Sequence, residues 1–187
     1  QDIDWVGSGQ DIDTISGTIL DWGGSSQDID WGGSGDDIDW GGSGDDIASG
    51  VAVDAEGSIY VTGYCGSSDF PVTQQNFPAS RERGTFVAKF NSAGSALVYS
   101  VVLPGSFGSS YIAVDAAGNA VVAGNTTDSF PASPGAAQST KPGPDANDPD
   151  GFVMKINARG TGLVYATYLG GNRTDEVAGV AVDAAGN

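Results

Sequence analysis

Val51-Ala-Val-Asp-Ala-Glu-Gly-Ser-Ile-Tyr-Val-Thr-Gly63 returns as Ile112-Ala-Val-Asp-Ala-Ala-Gly-Asn-Ala-Val-Val-Ala-Gly124 and starts again at Val180-Ala-Val-Asp-Ala-Ala-Gly-Asn187. Each copy pairs two β-branched runs across Asp-x-x-Gly, a turn in which the Asp can bond the backbone ahead and the Gly can take positive φ. A second element recurs in step. Phe86-Val-Ala-Lys-Phe-Asn91 matches Phe152-Val-Met-Lys-Ile-Asn157, and Leu97-Val-Tyr-Ser-Val-Val-Leu103 matches Leu163-Val-Tyr-Ala-Thr-Tyr-Leu169. Asn91-Ser-Ala-Gly94 and Asn157-Ala-Arg-Gly160 join that second pair by the same turn chemistry.

Each unit therefore holds four strands. They are expected at 50–54, 58–64, 85–91 and 96–103 in the first unit, and at 111–115, 119–125, 151–157 and 162–169 in the second. The connection between strands two and three differs in length, running from Phe70-Pro71 to Gly84 and from Phe130-Pro131 to Gly151, as a surface loop does. Tandem four-stranded antiparallel units of this size predict an all-β, β-propeller-like chain with about two blades plus the first strand of a third. The divisions fall at 1–44, an acidic Gly/Asp/Trp nonapeptide segment, then 45–110 and 111–174 for the blades, and 175–187 for the start of the next.

Composition agrees and narrows the chemistry. Glycine occurs 30 times in 187 residues, with Cys and Met once each, which suits short strands and tight turns. The net charge of −17 repels phosphate backbones and anionic lipid, so neither nucleic acid nor a membrane surface is an expected partner. No apolar run is long enough to insert in a membrane. The absence of histidine excludes Ser-His-Asp, Cys-His and His-ligated zinc chemistry, and the single Cys65 excludes an intrachain disulfide. Cys65 reads as an incidental thiol. Paired carboxylates could in principle hydrolyse glycosides, but the recurring Asp54, Asp115 and Asp183 start hairpins and are explained by turn geometry. No enzyme is expected.

The run Gly41-Gly-Ser-Gly-Asp45-Asp46, then Gly50-Val-Ala-Val-Asp54, Gly57, Tyr60-Val-Thr-Gly63, Ser68-Asp69-Phe70-Pro71, Phe86-Val-Ala-Lys89, Gly94 and Leu97-Val-Tyr-Ser100 resembles the bacterial SBBP-type β-propeller repeat. The resemblance covers about residues 41–187, with Thr127-Asp128-Ser129-Phe130-Pro131 and Tyr168-Leu169-Gly170-Gly171 keeping the pattern in the second unit. It implies a propeller fold and a secreted or surface-anchored bacterial protein, and it transfers no catalytic residue.

Residues 1–44 depart from that pattern. Trp22, Trp31 and Trp40 are spaced by nine, as are Asp28, Asp37 and Asp46. Gly32-Gly-Ser-Gly-Asp-Asp37 fits the turn of a calcium-binding parallel β-roll, in which carboxylates and carbonyls ligate Ca²⁺. Yet Asp39 stands where the roll needs its large apolar residue. Asp28, Asp30, Asp37, Asp39 and Asp46 are thus the Ca²⁺ candidates, set against a solvated acidic stretch with its Ile and Trp packed on the propeller. Asp145-Ala-Asn-Asp-Pro-Asp-Gly151 begins like an EF-hand loop but puts Pro149 at position five and its glycine one late. No other cofactor is implied.

Lys89 and Lys155, each between apolar neighbours in strand three, are expected on the solvent face of an alternating strand, with Tyr99 and Tyr165 in the core. Two blades and one strand do not close a ring, so exposed sheet edges are expected, and with them self-association or the remainder of a longer propeller. The expected function is a non-catalytic scaffold or adhesion module binding a protein or glycan through its inter-strand loops. A building block that assembles through open blade edges, and a calcium-stabilised or carbohydrate-active propeller, are the alternatives.

Overall fold

The computed structural model describes residues 46–74, 84–104, 110–127, 130–143 and 147–187. Eight strands follow one another: β1 (Asp46–Val53), β2 (Ile59–Cys65), β3 (Gly84–Phe90), β4 (Leu97–Leu103), β5 (Ser110–Val114), β6 (Ala120–Thr126), β7 (Asp150–Ile156) and β8 (Leu163–Leu169). They form two antiparallel four-stranded sheets, ordered β1-β2-β3-β4 and β5-β6-β7-β8. Seven strands lie within a residue of the expected bounds. β1 starts earlier, at Asp46, because a register shift between Ala48 and Gly50 lets it continue past the irregularity.

The hairpins turn as the Asp-x-x-Gly pattern requires. Gly57 N donates to Asp54 O at 3.0 Å and Gly118 N to Asp115 O at 2.9 Å, while the Asp side chain accepts the amides two and four residues on. The sheets lie face to face and approach most closely where β5 runs against β1 and β2. Tyr60, Val87, Tyr99, Val101 and Leu103 of the first sheet meet Ile112, Val122, Phe152, Met154 and Ile156 of the second in one core. A smaller cluster of Cys65, Phe70, Phe86, Ala88, Phe90 and Val102 lies on the opposite face of the first sheet.

Only part of each long connection is loop. Phe70 packs on Phe86 at 4.9 Å between ring centroids, and Phe130 stacks on Phe152 at 4.5 Å, so the Phe-Pro motif is core. Three residues on, Thr73 and Ser133 repeat one device along the outer edge of the fourth strand. Thr73 N donates to Ser100 O and Ser100 N to Thr73 Oγ1; Ser133 N donates to Ala166 O and Ala166 N to Ser133 Oγ. Gln138 extends the cover, its Oε1 and Nε2 bonding N and O of Gly170. The outer edge of each fourth strand is thus capped in part by its own sheet's connection, which meets backbone groups an edge would leave unpaired.

Candidate functional site: the face between the sheets

The two sheets are copies, so the same position can be compared with and without a neighbour. Tyr99 and Leu103 face the second sheet and are 0 % exposed, whereas their equivalents Tyr165 and Leu169, on a face that neither described sheet covers, are 38 % and 57 % exposed. The opposite face behaves likewise: Ile112 is 9 % exposed against the first sheet, and its equivalent Val51 is 66 % exposed. At these positions exposure follows the neighbouring sheet, whereas Phe86, Ala88, Phe90 and Val102 are buried on the face of the first sheet that the second does not cover. Tyr165, expected in the core, is partly exposed because neither described sheet covers it.

The joint has a polar rim. Lys89 Nζ lies 3.3 Å from Asp54 Oδ2 and 4.6 Å from the centroid of the Tyr60 ring, and the Tyr60 hydroxyl bonds both Asp54 Oδ2 and, at 3.0 Å, the Gly118 carbonyl of the next sheet's hairpin. One sheet on, Lys155 Nζ lies 2.7 Å from Asp115 Oδ2 and itself donates to Gly186 O at 2.9 Å. Val121 stands where the first joint has Tyr60, so the lysine makes the hairpin contact that the phenol makes before. A central stitch joins Ser49 Oγ to N and O of Ser110, with Thr62 Oγ1 3.0 Å from Ser110 Oγ.

These lysines correct the solvent-face expectation. Their side chains are only 13 % and 12 % exposed: Lys89 faces the second sheet, and Lys155 lies between Asp115 and the Gly186 carbonyl of the hairpin at 183–187, so alternation does not separate core from water at either position. The sequence signal was a joint recurrence: each lysine returns together with the Asp that opens the first hairpin of its own sheet.

The joint sets the acid behaviour. Burial works to raise the Asp54 carboxyl, but the Ser58 amide, the Tyr60 hydroxyl and Lys89 outweigh it and hold it below its ordinary value. Burial of Asp115 is outweighed in the same way by Asn119, Lys155 and the Ala117 amide, which hold it far below the carboxylate range. A depressed folded-state pKa gives stability that is full above the unfolded value, about 3.9, and is lost as pH falls through the folded one. The urea midpoint is therefore expected to be flat from pH 7 to pH 5 and to fall steeply below about pH 4; a midpoint unchanged at pH 3 would contradict the paired carboxylates.

The calcium candidates are placed as follows. Asp46 Oδ1 accepts the amides of Gly66 and Ser67 at 3.0 and 3.3 Å and its Oδ2 accepts the Ser67 hydroxyl, so it ties the start of β1 to the end of β2. Asp28, Asp30, Asp37 and Asp39 lie outside the described residues, as does Asp145 of the EF-hand-like loop. In that loop Lys141 Nζ sits 3.1 Å from Oδ2 of the buried Asp150, an ion pair without hydrogen-bond alignment, and donates to Asp148 O. A lysine thus fills the cationic position beside this acid. Among the described residues no group of three or more metal-ligating side chains converges. Cys65 is buried beneath Phe70 and Phe86 with its thiol pushed up to about 12, by burial first and then by Asp46, a setting that suppresses the reactive thiolate.

Residues 39–71 match the family model SBBP, a β-propeller repeat. No curated protein matches the chain. The matched residues comprise the glycine-rich junction, β1, β2 and Phe70-Pro71.

Proposed function

We propose that this chain is a non-catalytic β-propeller repeat module of the bacterial cell exterior, a scaffold whose inter-strand connections present a binding surface for a protein or glycan. The exterior location rests on the resemblance of residues 41–187 to SBBP-type repeats, and the non-catalytic reading on a chain without histidine. One observation carries the scaffold reading: the Lys-Asp pair and hairpin carbonyl recur at successive joints, Lys89/Asp54/Gly118 and Lys155/Asp115/Gly186. The polar side chains placed most deliberately serve to hold one sheet against the next.

Recognition belongs to the distal parts of the connections, since their first residues cap strand edges. Replacing 75–82 by a Gly/Ser linker of equal length is expected to leave a single urea transition with its midpoint within about 0.3 M of the parent, a change of under ~1 kcal/mol. Loss of cooperative unfolding on that replacement would make the loop structural and remove it as a display site. The assembly reading is favoured by a separate observation, the apolar faces at Tyr165 and Leu169 and at Val51 and Val53.

A further inference from the structure

Asp148-Pro149 is the single Asp-Pro bond in the sequence, and it ends the long connection of the second sheet one residue before β7 begins at Asp150. An Asp-Pro bond is the peptide bond most open to attack from within. The Asp carboxylate reaches its own carbonyl carbon through a five-membered ring, and the proline nitrogen, a tertiary amide, is a more basic leaving group than an ordinary amide nitrogen. Such an attack is slow in a flexible chain and is accelerated where the bond is held and its oxygen is met by positive charge.

Both conditions are met here. Lys141 Nζ donates to Asp148 O at 2.6 Å, and that oxygen is the carbonyl of the Asp148–Pro149 bond. The same ammonium lies 3.1 Å from Oδ2 of Asp150, whose side chain is 1 % exposed and whose oxygens accept no hydrogen bond among the described residues. A side chain at Gly170 would collide with Asp150 Oδ1, so the acid sits close against bare backbone and holds the lysine in place. On the other side of the bond Pro149 O accepts the amide of Asp175 at 2.9 Å, and Thr174 Oγ1 lies 3.5 Å from Asp148 Oδ1. The Asp175 carboxylate is turned away, to the Gly171 amide. The blade does not need this arrangement: the first sheet's connection has no Asp-Pro, and Gly84, opposite Cys65, stands where Asp150 stands opposite Thr126.

We propose that the chain cleaves itself at Asp148–Pro149, the Asp148 carboxylate acting as nucleophile and Lys141 holding the carbonyl oxygen. A carboxylate oxygen of Asp148 bonds to the carbonyl carbon of the same residue, and the bond from that carbon to the Pro149 nitrogen breaks. The nitrogen takes a proton from solvent and leaves as the secondary amine of a new N-terminus. The cyclic anhydride left on Asp148 takes up one water and opens to a residue with both carboxyls free. Water is consumed, and nothing is oxidised or reduced. Lys141 is the catalytic residue, since its ammonium touches the oxygen on which negative charge gathers; Asp150 is a positioning residue that acts through it. A single self-processing event of this kind acts on no separate substrate, so it goes beyond the scaffold reading and does not rest on it. The cut falls outside the ladder, and the pairing of β6 with β7 keeps the two pieces together. Its effect is to free the distal end of the connection at Asp148, while Ser133 and Gln138 keep the proximal part on β8.

The test is made on the 187-residue chain at about pH 5, above the range in which the paired Asp54 and Asp115 lose their contribution, with a second sample unfolded in urea at the same pH. Denaturing gels and mass spectrometry should show two fragments, one ending at Asp148 and one beginning at Pro149. They should accumulate about 100-fold faster from the folded chain than from the unfolded one. This comparison needs no variant to fold. Hydroxylamine should trap the anhydride as a hydroxamate on Asp148. The near-isosteric Asp148→Asn should leave the chain whole, and Lys141→Met should slow cleavage at least about tenfold, with Lys141→Arg recovering part of the rate. A folded chain that stays whole overturns the self-cleavage. So do equal rates in the folded and unfolded samples, cleavage at the parent's rate in Asp148→Asn, and a rate unmoved by Lys141→Met. Each of these leaves the scaffold reading, which is tested at 75–82, standing.

Discussion

Gly160→Ala is expected to destabilise the protein by about 2–4 kcal/mol, and Gly94→Ala, the same substitution at the equivalent turn, by only about 1. The two glycines have the same backbone, with φ of 69° and 68°, so the strain of a left-handed alanine is common to both. Their surroundings differ. A Cβ on Gly94 would meet nothing within 4 Å, whereas one on Gly160 would lie 2.4 Å from Cγ of Tyr99. Tyr99 cannot yield: it is wholly buried in the joint and edge-on to Tyr60 at 6.5 Å. Relief requires moving the second sheet's hairpin off the first sheet. The difference between the two variants therefore isolates the stacking of the sheets from the turn. Urea midpoints of the pair, measured at one pH, decide it; equal losses would mean that Gly160 and Tyr99 are not in contact in solution.

The strands were legible because β-branched runs, Asp-x-x-Gly turns and their recurrence all pointed the same way, and a repeat doubles every local signal. Ser49-Gly50 hid the true start of β1, since neither residue favours a strand and the irregularity there breaks the alternation. The stacking was less legible. A period of two distinguishes two faces but not whether one or both meet protein, so Lys89 and Lys155 read as solvated when Lys89 is sealed between the sheets and Lys155 is covered by the hairpin at 183–187. Thr73 and Ser133 were lost inside stretches read wholly as loop, because a single hydroxyl capping a distant strand edge leaves no periodic trace. Tyr165 failed the other way, its sequence being that of a core residue and its exposure that of a face neither described sheet covers.

Lys89→Met is expected to cost about 3 kcal/mol at pH 7, the low end for removing one partner of a buried ion pair. The methionine keeps the lysine's apolar stem but leaves Asp54, whose side chain is 4 % exposed, charged and without its cation. Three donors remain to it, the amides of Glu56 and Ser58 and the Tyr60 hydroxyl, which is why the cost stays at that low end. Those donors also fix the rescue. Asp54→Asn retains a carbonyl oxygen for the two amides while removing the charge, so the double variant is expected to recover about half of the loss. The pH dependence separates charge from shape. With the lysine gone, the Asp54 carboxyl titrates nearer its ordinary value, so the gap between Lys89→Met and the parent should narrow as pH falls toward 4 and Asp54 takes up a proton in the variant first. A gap constant from pH 7 to pH 4, measured by urea denaturation, would mean that the lysine contributes packing alone. The first joint would then be held by Tyr60 on the Gly118 carbonyl and by the Ser49–Ser110 stitch, contacts that carry no charge.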